Sequence, residues 1–269
     1  MPSFEFEPEK SYFMPIHFGP LTPGWDGMTV HYETATGLVF AGEIDRSAVS
    51  AYLPPGFTAT DPAILSVRYL QLSGCVGLAG GGYNVVSVDV SARFDGEQDH
   101  IDGDYALMQW ESHSAPVTAG RELVGAPKLV ADIPGFSSFG GVKGWYVSEN
   151  STRLAEGEVS QLEKLGEEQA QALSKQLDGR PWLGWKYIPT PDGTGTDVSY
   201  PTSYSKRLNV TEAWSGRGKV RFFETSFDQT PQNNRISAAL AKLPIPEEAD
   251  ATMVEGSLDL PIYEWRRLK

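Results

Sequence analysis

The sequence predicts a mainly β domain of the α+β class whose strands run mostly antiparallel. Turn-forming residues punctuate its whole length, with 28 Gly and 19 Pro in 269 residues. Short runs rich in Val, Tyr and Phe lie between these turns, and this spacing is typical of many short strands. From Val86 to Ser91 valine alternates with Ser and Asp, which is the period-two pattern of a strand with one buried face.

Ten segments carry this strand signal. They are residues 38–44, 64–72, 84–94, 105–111, 129–133, 143–147, 185–189, 208–214, 219–224 and 251–263. Each is a short apolar or aromatic run, and turn residues separate one run from the next. A mostly antiparallel sheet follows from strands that are this short and this closely spaced.

Helical signals are few. Asp45 is placed to cap a helix over residues 46–53, which Pro54 and Pro55 would end. A polar, Glu-rich helix is predicted over 166–177 and a short one over 234–243. The acidic stretch 156–179 resembles an inserted excursion, but no Gly/Ser linker marks a domain boundary. We therefore expect one domain over residues 1–269, with 1–34 as an N-terminal extension packing on it.

Charge and composition exclude several classes of partner and site. The 35 acidic and 22 basic residues give a net charge of −13, so nucleic-acid and membrane partners are not expected. Residues 1–10 carry three glutamates and lack the apolar stretch of a signal peptide, which predicts a cytoplasmic protein. Cys75 is the single cysteine, so an internal disulfide is impossible. The four histidines show no paired ligand spacing, and no metal site is expected.

Lys128 is the best candidate for chemistry. It ends the string Gly-Arg-Glu-Leu-Val-Gly-Ala-Pro-Lys, a turn-like segment at residues 120–128 that leads into an apolar run. Pro127 restricts the backbone before the lysine, which holds the amine in a defined direction. Burial beside the aliphatic residues Leu129 and Val130 would disfavour the ammonium form and lower the pKa of the amine. A neutral amine is what attack on a ketone requires.

This string resembles the signature of the acetoacetate decarboxylase-like superfamily, in which the lysine after proline forms a Schiff base with a keto acid. A second block agrees: residues 210–216, Val-Thr-Glu-Ala-Trp-Ser-Gly, resemble the family's late hairpin, which a strand over 219–223 follows. The resemblance covers roughly residues 35–268. It implies an antiparallel, closed or cone-like β-barrel with a few peripheral helices, assembled as a homo-oligomer. The lysine chemistry that it implies requires no cofactor.

Three departures from the family pattern point to an altered pocket. The second lysine, whose charge lowers the pKa of the first in these decarboxylases, is replaced by Leu129. The family's two site glutamates fall on Leu70 and Val85, neither of which can move a proton. The arginine that receives the substrate carboxylate maps near Ala35. The resemblance therefore implies a more apolar pocket and a less charged or larger substrate.

Further substrate-binding candidates are Arg121, Glu122 and Tyr263. Arg121 is a candidate partner for a carboxylate, with a structural ion pair to Glu122 as the alternative. Tyr263 is a candidate proton donor near the chain's end, with packing as its alternative. Two hypotheses follow for the whole protein. The first is a Schiff-base-forming lyase, of decarboxylase or aldolase/dehydratase type, acting through Lys128 on a keto acid or related small-molecule carbonyl substrate. The second is a non-catalytic, ligand-binding descendant in which Lys128 is charged and paired with a carboxylate.

Overall fold

A computed structural model describes residues 5–7, 9–20, 28–178 and 180–269. Within these ranges the chain forms fourteen strands and four α-helices. The strands are β1 (Thr29–Ile44), β2 (Phe57–Ala59), β3 (Ala63–Ser73), β4 (Tyr83–Asp95), β5 (His100–Glu111), β6 (Lys128–Val130), β7 (Ser137–Phe139), β8 (Val142–Glu149), β9 (Thr152–Lys164), β10 (Trp182–Pro189), β11 (Thr196–Tyr204), β12 (Arg207–Phe222), β13 (Ala249–Pro261) and β14 (Arg266–Arg267). The helices are α1 (Arg46–Ser50), α2 (Ser114–Val124), α3 (Glu167–Asp178) and α4 (Asn234–Leu240).

All fourteen strands belong to one sheet. Its hydrogen-bonded path runs β14-β11-β10-β5-β4-β3-β1-β13-β12-β9-β8-β7, with β2 attached to β4 and β6 to β5. The pairs are antiparallel except β5 with β10 and β5 with β6, so the mainly antiparallel prediction is confirmed. In the described part of the chain the path has two free ends, the short strands β14 and β7. The sheet is therefore not closed by pairing, and the closed barrel is not confirmed.

Two predicted strands are one. Residues 208–214 and 219–224 were expected to be separated by a hairpin turn, but β12 runs without a break from Arg207 to Phe222 and so joins the two segments. Gly216 sits where the register between β12 and β9 shifts. A Cβ atom at this position would lie 2.5 Å from the main-chain oxygen of Ser160. The glycine therefore permits close approach of two strands at a bulge rather than a turn.

Two segments differ in kind from the prediction. The first half of the expected acidic excursion is β9, which pairs with both β12 and β8. The turn-like segment before Lys128 is the end of helix α2. Pro116 lies in the first turn of α2, where its missing N–H costs no hydrogen bond, and Gly125 ends it with φ of 68°. Proline and glycine thus begin and end a helix here, although they also signal turns.

The three predicted helices correspond to α1, α3 and α4. The N–H of Ser47 donates to Oδ1 of Asp45 over 2.8 Å, which is the expected cap of α1. Helix α3 lies within one residue of its predicted bounds, and α1 and α4 each end three residues before their predicted ends. No helix in the described ranges is long and apolar enough to cross a membrane. Parts of the predicted N-terminal extension, residues 1–4, 8 and 21–27, lie outside the described residues, and β1 begins at Thr29.

Both faces of the central strands are buried. Val86 and its alternating neighbours contribute to the main hydrophobic core, as predicted. The opposite face of β4, expected to be exposed, is also covered, and Ser87 and Asp89 are fully buried. Arg68 pairs there with Asp89 and, over 2.7 Å, with Asp104. The polar residues are compatible with burial because these charges are paired.

Candidate active site

Lys128 reaches the buried face of the sheet through strand β6. This strand pairs in parallel with β5, so that Lys128 lies opposite Gln109 and Leu129 opposite Trp110. Trp110 is buried in the main core, and Leu129 packs against that core. Because side chains alternate along a strand, Lys128 and Gln109 point to the other face, where they line a cavity.

Helix α2 holds the lysine side chain against the sheet. Gly120 faces it so closely that a Cβ atom there would lie 2.8 Å from both Cδ and Cε and 2.9 Å from Nζ of Lys128. The amine also donates to the main-chain oxygen of Pro116 over 3.3 Å. Arg121, the next residue of α2, donates from Nη1 to the main-chain oxygen of Lys128 over 3.0 Å. The glycine and arginine of the string therefore position the lysine from its side chain and its backbone.

A carboxylate that sequence reasoning missed lies beside the amine. Oε1 of Glu111 is 2.8 Å from Nζ of Lys128, and the two side chains are 3% and 14% exposed. Glu111 lies directly opposite Val85 on β4, which lies opposite Leu70 on β3. The three side chains therefore form one row on the same face of the sheet. The available signal was a glutamate at the end of the largely apolar strand predicted over 105–111, because an unpaired charge would be costly if that strand were buried.

The cavity around this pair has a volume of about 40 Å³. Its walls include Leu70, Val85 and other apolar side chains. Four polar atoms of its lining residues are buried without a hydrogen-bond partner in the described structure: Gln109 Oε1, Glu111 Oε2, Trp182 Nε1 and Tyr204 OH. Buried polar atoms are nearly always hydrogen-bonded, so this set is suited to a polar guest. Burial raises the pKa of Tyr204 well above its ordinary value, which keeps the hydroxyl a proton donor.

A second, more open pocket meets this cavity at Lys128. It offers about 490 Å³ and shares Gly120, Lys128 and Trp265 with the cavity. Its remaining lining is mostly aliphatic and aromatic. The hydroxyls of Tyr32 and Tyr83 lie 3.0 Å apart on its wall, and burial raises the pKa of both. The volume lies within the range of sites that hold small organic molecules.

The other predicted residues lie outside both pockets. Arg121 is exposed and contacts the backbone of Lys128, and no ion pair joins it to Glu122. Glu122 is half-buried, and Tyr263 is 56% exposed. Ala35, near which the sequence comparison above placed the family's arginine, lines a neighbouring cavity beside Leu70. Within the described ranges no three His, Cys, Asp or Glu side chains are grouped so as to hold a metal ion.

Comparison with known proteins agrees with the fold. The sequence model of the family described as Acetoacetate decarboxylase (ADC) matches residues 13–261. An acetoacetate decarboxylase from Burkholderia ambifaria is 23% identical over 255 residues, covering 95% of this chain and 94% of that protein. The crystal structure of acetoacetate decarboxylase from Legionella pneumophila superimposes with a TM-score of 0.73 at 19% identity, covering 94% of this chain and 93% of the other. The enduracididine biosynthesis enzyme MppR, complexed with pyruvate, gives a TM-score of 0.70 at 15% identity and covers 95% of each chain.

Proposed function

Because the chain belongs to the acetoacetate decarboxylase family, we propose that it is a Schiff-base-forming lyase in which Lys128 is the nucleophile. The observation that carries this proposal is the amine itself, held in a buried cavity 2.8 Å from a buried carboxylate. Burial limits the access of water to the amine, and the carboxylate supplies a base within hydrogen-bond reach of the amine. The family relationship supports lyase chemistry of the decarboxylase or aldolase/dehydratase type.

Glu111 gives the amine a route to its neutral form. A proton moves from the Lys128 ammonium to Oε1 of Glu111, and the free amine attacks the substrate carbonyl carbon. The same proton then returns to the carbinolamine hydroxyl, which leaves as water and produces the iminium. The iminium accepts the electron pair of the adjacent carbon–carbon bond as that bond breaks. The enamine formed in this step takes up a proton at carbon, and hydrolysis of the resulting iminium releases the product and restores the amine.

Two of the buried polar groups without a hydrogen-bond partner are suited to bind the substrate during this reaction. The indole N–H of Trp182 and the hydroxyl of Tyr204 are donors, and both residues line the cavity beside Lys128. Donors of this kind orient a substrate carbonyl and stabilise the negative charge that its oxygen gains during attack. A bound carbonyl oxygen would accept hydrogen bonds from both groups.

The substrate we propose is a small carbonyl compound, with a keto acid as the first class to test. MppR was solved with pyruvate, which makes pyruvate a direct probe beside acetoacetate. The apolar lining at Leu70 and Val85 and the open second pocket support a larger or less charged compound than acetoacetate. We also propose that the protein acts as a cytoplasmic homo-oligomer of a single domain.

Borohydride trapping tests the proposal. The protein is incubated with acetoacetate, pyruvate or a longer β-keto acid, reduced, and measured by intact-mass spectrometry. We expect an adduct that maps to Lys128 and is lost in Lys128→Ala. Lys186→Ala is the matched control, because Lys186 is also half-buried but lines neither pocket, and its amine donates to the main-chain oxygen of Leu123. An adduct that survives in Lys128→Ala and vanishes in Lys186→Ala would refute the assignment.

One observation favours the second hypothesis, a ligand-binding protein without turnover. An amine paired with a carboxylate is the state expected of a lysine that is no longer a nucleophile, and Lys128 has this partner in Glu111. Such a protein would bind carbonyl compounds reversibly and yield no trapped adduct. Calorimetry with the same compounds, without borohydride, therefore separates binding from covalent chemistry.

A further inference from the structure

Few charged side chains line the two pockets of the candidate site. Among the described residues that line the inner cavity, Lys128 is the single cation and Glu111 the single anion. Among those that line the open pocket, Lys128 is the one charged residue. The positive charge of Lys128 is already matched by the carboxylate 2.8 Å away. Neither pocket therefore offers a spare cation to a substrate carboxylate.

Three other cations near the two pockets are engaged elsewhere. Arg121 contacts the backbone of Lys128 from the exposed side. Arg68 lines the neighbouring cavity, but it bonds Asp89 and Asp104. Lys206, in the same cavity, donates from Nζ to the main-chain oxygen of Arg180 over 2.6 Å.

Charge balance then distinguishes two kinds of substrate. With an uncharged ketone or aldehyde, the iminium on Lys128 and the carboxylate of Glu111 sum to zero in the cavity. A keto acid adds a second carboxylate, which leaves a net negative charge in a buried site. Burying an unpaired charge is costly, and like charges side by side repel strongly where water is excluded. The net charge of −13 on the whole chain further disfavours the approach of anions.

We infer that the Lys128 site selects uncharged carbonyl compounds with an apolar substituent over keto acids, and that Glu111 sets this selectivity. The inference rests on the proposed function and narrows its substrate class. The apolar substituent lies in the open pocket, while the carbonyl meets Lys128 and the donors of Trp182 and Tyr204. Decarboxylation requires a carboxylate on the substrate, so this selectivity assigns the aldol or dehydration branch of lyase chemistry to the site.

Matched acids and esters test the inference. Acetoacetate is compared with methyl acetoacetate, and pyruvate with methyl pyruvate, by the rate of borohydride-dependent mass increase at Lys128. Each pair carries the same ketone and differs in charge. Intrinsic reactivity differs within a pair, so the quantity compared is the ester-to-acid rate ratio in the wild type against that in a variant.

Two variants change the charge in independent ways. Glu111→Gln removes the anion with little change in shape, and Leu123→Arg adds a cation to the wall of the open pocket. We expect the ester-to-acid ratio to fall by about tenfold or more in Glu111→Gln, because repulsion between adjacent charges in a desolvated site is worth at least that factor. Leu123→Arg should lower the ratio in the same direction without altering the Lys128 and Glu111 pair, so it serves if Glu111→Gln does not fold.

The outcomes separate this inference from the proposed function. Adducts at Lys128 whose ester-to-acid ratio is the same in the wild type and in both folded variants would overturn the inference and leave the Schiff-base lysine standing. A wild type that is trapped faster by acids than by esters would do the same. If none of the four probes labels Lys128 in the wild type, the proposed function fails, and the inference that depends on it fails too.

Discussion

Replacing Gly120 by alanine isolates the contribution of helix α2 to the position of the amine. An added Cβ would lie 2.8 Å from Cδ and Cε of Lys128. Carbon atoms in favourable contact lie about 3.5–4.0 Å apart, so the side chain must move by about 0.7–1.2 Å. Misplacement of a reacting group by about 1 Å costs on the order of a hundredfold in rate. We therefore expect Gly120→Ala to slow borohydride trapping at Lys128 by about that factor.

The same substitution should leave stability nearly unchanged. Alanine is favoured over glycine in a helix by about 1 kcal/mol, and this gain offsets part of the cost of moving the far end of a flexible side chain. The free energy of unfolding, measured with urea, should stay within about 1 kcal/mol of the wild type. A slow variant of normal stability is thus the signature of lost positioning rather than lost packing.

Gly166→Ala provides the control. Its added Cβ would meet one atom within 4 Å, Oε1 of Gln169 at 3.7 Å, and it lies beside helix α3, outside both pockets. Trapping at Lys128 should stay at the wild-type rate there. Wild-type trapping in Gly120→Ala would refute the argument from close contact. Loss of trapping together with a large drop in stability would show instead that the position matters for folding.

Three further predictions concern charge and burial. Lys128→Met should lower the free energy of unfolding by about 3 kcal/mol or more, because the buried carboxylate of Glu111 loses its partner. Adding Glu111→Gln to this variant should restore much of the lost stability. If urea denaturation shows that the losses of the two single variants simply add in the double variant, the pairing is contradicted. The free energy of unfolding of Tyr204→Phe should lie within about 0.5 kcal/mol of the wild-type value, since the hydroxyl has no partner in the described structure. The variant should nevertheless trap carbonyl compounds more slowly. A large loss of stability would reveal a hydrogen-bond partner of the hydroxyl. Burial, aided by the charge of Arg68, lowers the pKa of Lys206 to about 8. Above this pH the unfolded chain holds a proton that the folded chain has released, so the stability of the wild type relative to Lys206→Met should rise from pH 8 to pH 10. Parallel curves of stability against pH for the two proteins would contradict this prediction.

Features that are local in the sequence were predictable. The alternation from Val86 to Ser91 indicates a strand wherever it lies, and Asp45 caps a helix through its near neighbour Ser47. The string that ends at Lys128 identifies the family for the same reason. Patterns of this kind depend on a few consecutive residues, and tertiary contacts did not overturn them.

Features that depend on distant partners were not predictable. Helix α2 contains Pro116 and Gly120, residues that also mark turns, and the reason for the glycine is the lysine side chain that passes it. The role of Glu111 depends on the register between β5 and β6, which no local pattern specifies. Asp89 alternates with valines as a solvated residue would, and only the fold brings Arg68 to it. In each case the deciding contact joins residues far apart in the chain.

The row formed by Leu70, Val85 and Glu111 gives this fold a simple means of diversification. The three positions lie on adjacent strands, whose spacing is about 4.8 Å. A carboxylate exchanged between neighbouring positions changes its distance and direction from Lys128 by one such step while the backbone stays where it is. Two point substitutions are then enough to relocate a carboxylate, with no insertion and no remodelled loop. Such exchanges would change the charge and polarity beside Lys128 while the lysine keeps its place.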